Sequence, residues 1–192
     1  MLDETQQRVF DRLSVFAGPF TIEAAEVVVA GDGVDDWSVL DGVLALVDKS
    51  LVVVDERGDE SRYRLFETMR QFGLANLSNT DVLDQYRARH GDYFAEFVLS
   101  RRPQLFGAGD QTALDAIERE LENLRVALRR AADDDGSSRF EELCGLWRVR
   151  PTRRHRPRGH DARLTPRQPV PHVQCRRVTD HHDRRDRPRP GW

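Results

Sequence analysis

The stretch LVVVDERGDESRYRLF, residues 51–66, decides how this chain folds. Leu51-Val52-Val53-Val54 is a β-branched run, and Tyr63-Arg64-Leu65-Phe66 answers it across a polar turn, Asp55–Arg62, that contains Gly58. Two such runs around a turn read as a hairpin with a longish loop. Everything before it has a helical period. Val9, Phe10, Leu13 and Phe16 predict a helix over 3–16, with Asp3, Glu4 and Thr5 at its positive end. Ala17-Gly18-Pro19 stops it. Thr21 is the N-cap of a short helix over 22–30, which Gly31-Asp32-Gly33 ends. A third helix, 36–48, carries Val39, Leu40, Val43, Leu44 and Val47 on one face. After the hairpin, ETMRQFGLANL predicts a helix over 67–77 with Met69, Phe72, Leu74 and Leu77 apolar. Three helices, a β-hairpin wing and a further helix describe a winged helix over residues 1–79.

Residues 80–148 read as helical throughout. Leu83, Tyr86, His90, Tyr93, Phe94 and Phe97 line one face of a helix over 81–101, and Pro103 and Gly107-Ala108-Gly109 break it. Asp110 then caps a helix in which Leu114, Ile117, Leu121, Leu124 and Leu128 recur three and four residues apart, up to Asp133-Asp134-Asp135-Gly136. Ser138 with Glu141 forms a capping box for a last helix through Leu143, Leu146 and Trp147. The fold class is therefore mainly α: a winged helix followed by antiparallel helix pairs, the start of a tetratricopeptide-like array.

Composition changes at residue 149. Residues 149–192 hold 13 Arg, no Lys, 4 Asp and no Glu, together with five of the chain's six His and seven of its nine Pro. That is +9, which leaves −12 on residues 1–148 within a net charge of −3. A segment this basic and this poor in apolar residues is expected to be disordered, because it cannot bury a core. No run of about 18 apolar residues occurs, so no membrane span is expected. The polar start MLDETQQRVFDRL is unlike a secretory signal peptide, and two cysteines, Cys144 and Cys175, build no disulfide framework. A cytoplasmic protein is the expectation. One lysine, Lys49, against 29 arginines points to a GC-rich coding sequence.

Four blocks, RLSVFAGPFTIEAAE (12–26), LVDKSLVVV (46–54), YRLFETMRQFGLANL (63–77) and ERELENLRVALRRA (118–131), carry a family resemblance. In this order they resemble the winged-helix and early tetratricopeptide-type region of LuxR-type and AfsR-like signalling ATPases of the STAND (NB-ARC) class, common in actinobacteria such as mycobacteria. The resemblance covers residues 1–148. It implies a winged helix that packs on a nucleotide-binding domain and repeats that receive a signal or partner. No G-x-x-x-x-G-K-[ST] loop is present to cradle a nucleotide. The resemblance therefore implies a fragment, with an internal start at Met1 and a tail read in a shifted frame. Relatives sense bound ADP through a Met-His-Asp element, whose place Leu65-Phe66-Glu67 takes here. Phe66 cannot make the imidazole's bond to phosphate, so the sensor is degenerate. As structural residues, Phe66 is expected in the core and Glu67 in a helix's first turn.

Other chemistry is sparse. The third helix, the usual reader of DNA, carries Asp35, Asp36, Asp41 and Asp48 against Lys49, and duplex phosphates repel it. His90 sits on an apolar face and reads as a core histidine. Gly107-Ala108-Gly109-Asp110 reads as a turn and cap. His172, Cys175, His181, His182 and Asp183 are ligand types without the frame that zinc needs, so no metal site is expected. The expected function is a non-catalytic fragment of a LuxR-family, AfsR-like regulator, acting through protein–protein or interdomain contacts and using no cofactor. Its partners would be the nucleotide-binding domain of a full-length regulator or other regulator chains. The alternative is a stand-alone winged-helix DNA-binding regulator anchored by its basic tail, where Arg153, Arg154, Arg156 and Arg158 are the candidate phosphate contacts. The fragment reading is checked on the DNA around the gene: an ATPase is expected upstream in frame, with helical repeats in another frame beyond codon 148. Absence of the repeats from all three frames would contradict it.

Overall fold

In the computed structural model, which describes residues 1–55, 60–106 and 110–133, Asp3 begins the first helix with a reciprocal cap. Its carboxylate accepts from the Gln6 amide at 2.8 Å while the Gln6 side chain accepts from the Asp3 amide. Helix α1 spans Glu4–Leu13, α2 Ile22–Val29 and α3 Asp36–Asp48. Strands β1 (Val52–Asp55) and β2 (Arg62–Leu65) form an antiparallel pair in the register Val52↔Leu65 and Val54↔Tyr63. Then come α4 (Glu67–Ser78), α5 (Leu83–Arg101), a 3-10 turn at Gln104–Phe106, α6 (Asp110–Arg119) and α7 (Leu121–Asp133). The first five elements and α4 are a winged helix. Thr21 and Asp35 cap α2 and α3 through their side chains, as residues of their type do.

Several details differ from the sequence expectation, each for a physical reason. α1 ends at Leu13, not residue 16, because Ser14, Val15 and Phe16 bond three residues back to Asp11, Arg12 and Leu13 and tighten the chain into turns. Phe16 stays buried all the same. On α3 the buried face is Val39, Gly42, Val43 and Leu46, while Leu44 is 45% exposed and Leu40 and Val47 are only partly covered. Gly42 turns this face inward: a Cβ there would lie 3.0 Å from both Val9 methyls, so the missing side chain lets α1 and α3 touch. Gly73 does the same for α4 against Ser14 and Phe10, which leaves Phe72 57% exposed. Phe66 is no core residue either; it is 48% exposed at the N-cap of α4. The expected single helix from Asp110 to Asp133 is two helices, broken at Glu120. The expected last helix from Ser138 and the basic segment 149–192 lie outside the described residues.

The break at Glu120 is explained by what its side chain reaches. Glu120 is buried and forms an ion pair with Arg62 of β2. Arg62 also donates to the Pro19 carbonyl at 3.0 Å. One turn on, the fully buried Asn123 accepts from the amides of Ala17 and Gly18 at 3.0 and 2.9 Å and donates to the Pro19 carbonyl at 2.9 Å. Asn123 thus satisfies the backbone of a sharp turn that has no secondary structure of its own. Gly18 is required there: a Cβ would lie 2.8 Å from Glu122 Cβ. Just past the turn, Phe20 exchanges two backbone bonds with Tyr63, at 2.9 and 2.8 Å, and so ties the wing to the same place. Residues on both sides of position 79 share one apolar core. Phe16 packs on Phe20 with ring centroids 4.6 Å apart and edge-on against Phe94 of α5 at 6.2 Å, and Leu124 and Ala127 of α7 join the cluster.

Asn123→Ala strands the buried Gly18 amide and the partly buried Ala17 amide in the Ala17–Pro19 turn. A loss of about 3 kcal/mol in unfolding free energy is expected by urea denaturation, and a loss below about 1 kcal/mol would contradict the role given to Asn123.

Candidate functional site

In a helix-turn-helix, the turn between the second and third helices fixes how the third helix is presented. Here that turn is Ala30–Val34, and three successive residues take positive φ: Gly31 at 112°, Asp32 at 47° and Gly33 at 84°. Glycine tolerates that region without steric cost, and aspartate is among the few other residues that visit it. Side chains from two elements hold the turn. From α1, Arg12 donates to the carbonyls of Val29 at 3.0 Å and Gly31 at 2.7 Å. From α5, Arg89 donates to the Ala30 carbonyl, and Tyr86 donates from its hydroxyl to Asp32 at 3.0 Å. Arg12 also stacks over the Tyr86 ring, 4.7 Å from its centre. Burial lowers the Arg12 pKa and pushes the Tyr86 hydroxyl up to about 12, so the phenol stays a donor at any ordinary pH.

This scaffold presents α3 outward. Its solvent face carries Asp36, Asp41 and Asp48, none with an ion pair or hydrogen bond among the described residues, around Trp37, 76% exposed, and Leu44. The surface is acidic with an apolar centre. The wing adds little positive charge: Arg62 is committed to Glu120, and Arg64 alone of the described wing arginines points to solvent without a partner.

The Leu65-Phe66-Glu67 element is split by the end of the wing. Leu65 is buried opposite Val52, Phe66 faces solvent, and Glu67 opens α4. Glu67 accepts two bonds from Arg70, at 2.9 and 2.8 Å, and one from Gln71 at 3.0 Å, which together hold its carboxyl at about 2. Its charge is occupied within α4. Arg153, Arg154, Arg156 and Arg158, and the cluster from His172 to Asp183, lie outside the described residues, as do Gly107–Gly109. His90 is a core residue, packed on Phe16 and Phe94 at 5.3 and 4.7 Å, with no partner for Nε2. Among the described residues no helix is long and apolar enough to cross a membrane.

Sequence reasoning identified the acidic α3 but missed the Asn123–Glu120–Arg62 network and the clamp of α5 on the α2–α3 turn. An Asn three residues after a Glu inside an amphipathic helix, E-x-x-N at 120–123, was the available signal.

The fold and its outward third helix define a winged helix-turn-helix domain, and residues 2–78 match the family of that name. The chain is homologous to mycobacterial proteins that carry the name of HTH-type transcriptional regulators. One from Mycobacterium tuberculosis and one from Mycobacterium bovis are each 40% identical over 127 residues, covering 66% of this chain and 14% of the relative. A further Mycobacterium tuberculosis protein, uncharacterized by name, is 34% identical over 91 residues, 47% of this chain and 23% of its own length. The chain thus spans about one seventh of the length of the regulators it matches. No solved structure matches it.

Burial holds the His90 imidazole at about 4, against 6.5 when exposed. The unfolded chain therefore takes up a proton below pH 6.5 that the folded chain refuses until about pH 4. This share of the stability is complete above pH 6.5 and is lost as pH falls towards 4, by about 3 kcal/mol. Urea titrations across that range should show the loss, and His90→Leu should flatten it; an unchanged slope in the variant would contradict the assignment.

Proposed function

We propose that this chain is a protein-facing winged-helix module of an HTH-type transcriptional regulator of the LuxR/AfsR-like signalling-ATPase class, acting without catalysis of its own in the cytoplasm. The observation that carries the reading is the solvent face of α3, with three aspartates around Trp37 and Leu44. Affinity for duplex DNA comes largely from cations that neutralise phosphates, and this helix offers carboxylates instead. Protein interfaces, by contrast, favour an exposed tryptophan as an anchor with polar residues at its rim. The family resemblance supplies the context: a nucleotide-binding domain that the winged helix packs against, and tetratricopeptide-like repeats continuing from α5–α7. The absence of a phosphate loop from the sequence supports a non-catalytic role for this segment.

The second reading is a DNA-binding regulator. It is favoured by the match of residues 2–78 to a helix-turn-helix family and by the names of the relatives. The 13 arginines of residues 149–192 would supply its phosphate contacts. The two readings part at Trp37, which is exposed and can be changed without disturbing the core. Fluorescence anisotropy of the full chain with labelled duplexes, at about 150 mM salt, should show no sequence-specific binding tighter than about 10 µM. Any weak binding should be unchanged by Trp37→Ala and Asp41→Ala. Nanomolar, sequence-specific binding lost in Trp37→Ala would overturn the proposal in favour of DNA reading.

A further inference from the structure

A second charged surface lies at the junction of β2, the start of α4 and α7. It is an open concavity of about 420 Å³ lined by Arg64, Arg70, Arg125 and Arg129, with Ala17 and Leu65 in its wall. Arg125 and Arg129 lie one turn apart on the exposed side of α7, and neither they nor Arg64 make an ion pair or hydrogen bond among the described residues. Of the two carboxylates beside them, Glu67 is taken up by Arg70 and Gln71, and Glu122 lies over Gly18. Three guanidiniums without an ion pair are therefore held close together with one unpaired carboxylate, Glu122, in the same lining, which leaves the concavity net positive on a body that is otherwise acidic. Like charges held side by side favour the arrival of an anionic partner.

The chain itself carries the complementary shape. On α3, Asp41 and Asp48 are seven residues apart, about 10 Å along the axis, and Trp37 and Leu44 follow the same spacing beside them. We infer that the arginine concavity of one copy receives the acidic, apolar face of α3 from a second copy. The commitment to a second copy rests on this charge complementarity: each surface is unpaired in the single chain, and each matches the other. It also rests on the protein-facing reading of α3 given above. Two copies can make this contact reciprocally, each α3 in the other's concavity, as a closed dimer, or head to tail, with one α3 and one concavity left open for further copies.

Sedimentation equilibrium of the full chain tests this with a charge exchange. At about 50 mM salt the weight-average mass should rise with concentration, and at about 500 mM it should fall back towards the monomer. Arg125→Glu/Arg129→Glu makes the concavity acidic, and Asp41→Arg/Asp48→Arg makes α3 basic. Each double variant alone should associate at least about 10-fold more weakly than the wild type. Mixed in equal amounts they should associate again, since each now offers a surface complementary to the other's. Both changes are on exposed positions, and circular dichroism of each variant establishes that the fold is kept. A wild type that stays monomeric at low salt up to about 100 µM would overturn the inference and leave the protein-facing reading of α3 standing. Association that survives Arg125→Glu/Arg129→Glu, or a mixture that does not recover, would also overturn it. In the monomeric case, titration with a decaglutamate peptide asks whether the concavity takes another acidic chain instead. Binding of the peptide there counts against a second copy as the occupant.

Discussion

The structure depends on one buried amide. Asn123 stands where a helix, a sharp turn and a wing meet: it bonds two amides and a carbonyl of Ala17–Pro19 and the Glu120 carboxylate at 3.1 Å, and its side chain also bonds the His90 imidazole. The turn has no backbone partners of its own for these groups, and Gly18 at its centre is buried. A side chain with one acceptor and one double donor is the kind of group that can serve both sides. Glu120 extends the network to Arg62, and Arg62 returns it to Pro19. The wing, the α1–α2 turn and α7 are therefore fixed by a closed ring of polar contacts. Around it the aromatic stack of Phe16, Phe20, His90 and Phe94 fills the apolar space.

This arrangement gives physical sense to the sequence blocks that carry the family resemblance. RLSVFAGPF and ERELENL are 105 residues apart at Gly18 and Asn123, and they are the two halves of the same contact. The wing block, YRLF, supplies the partner of Phe20 through Tyr63. What looks like four separate motifs along the chain is one assembly in space. Its consequence is to leave α3 with its buried face on α1 and its charged face towards solvent, in an orientation set by Arg12 and by the α5 residues Tyr86 and Arg89.

The elements governed by local chemistry were legible in the sequence. Thr21 announces its helix because a side-chain cap acts on the next three residues alone. The wing is legible because the β-branched run Val52–Val54 is answered by Tyr63–Leu65 across a polar turn, and the two pair in that order. Faces set by close approach were misread. Gly42 and Gly73 count as gaps in an apolar pattern, yet they are where other helices come nearest, so the true buried faces rotate away from Leu44 and Phe72. The break at Glu120 was illegible for a different reason: its cause, Arg62, is 58 residues away. The acidity of α3 was plain in the sequence, but the arginine concavity was not, because Arg64, Arg70, Arg125 and Arg129 come from three elements that only the fold brings together.

The central claim is that the winged helix and the helices after it form one cooperative unit, closed by the Asn123 contacts. Native-state hydrogen exchange of the full chain tests it most directly, by following the amides of Ala17 and Gly18. If the account holds, these two amides exchange only through global unfolding, with the same free energy as Val43 and Leu46 in the core of α3, to within about 1 kcal/mol. If Ala17, Gly18 and the α7 amides instead exchange together at a much lower free energy than α3, the two parts open independently, and the account is contradicted.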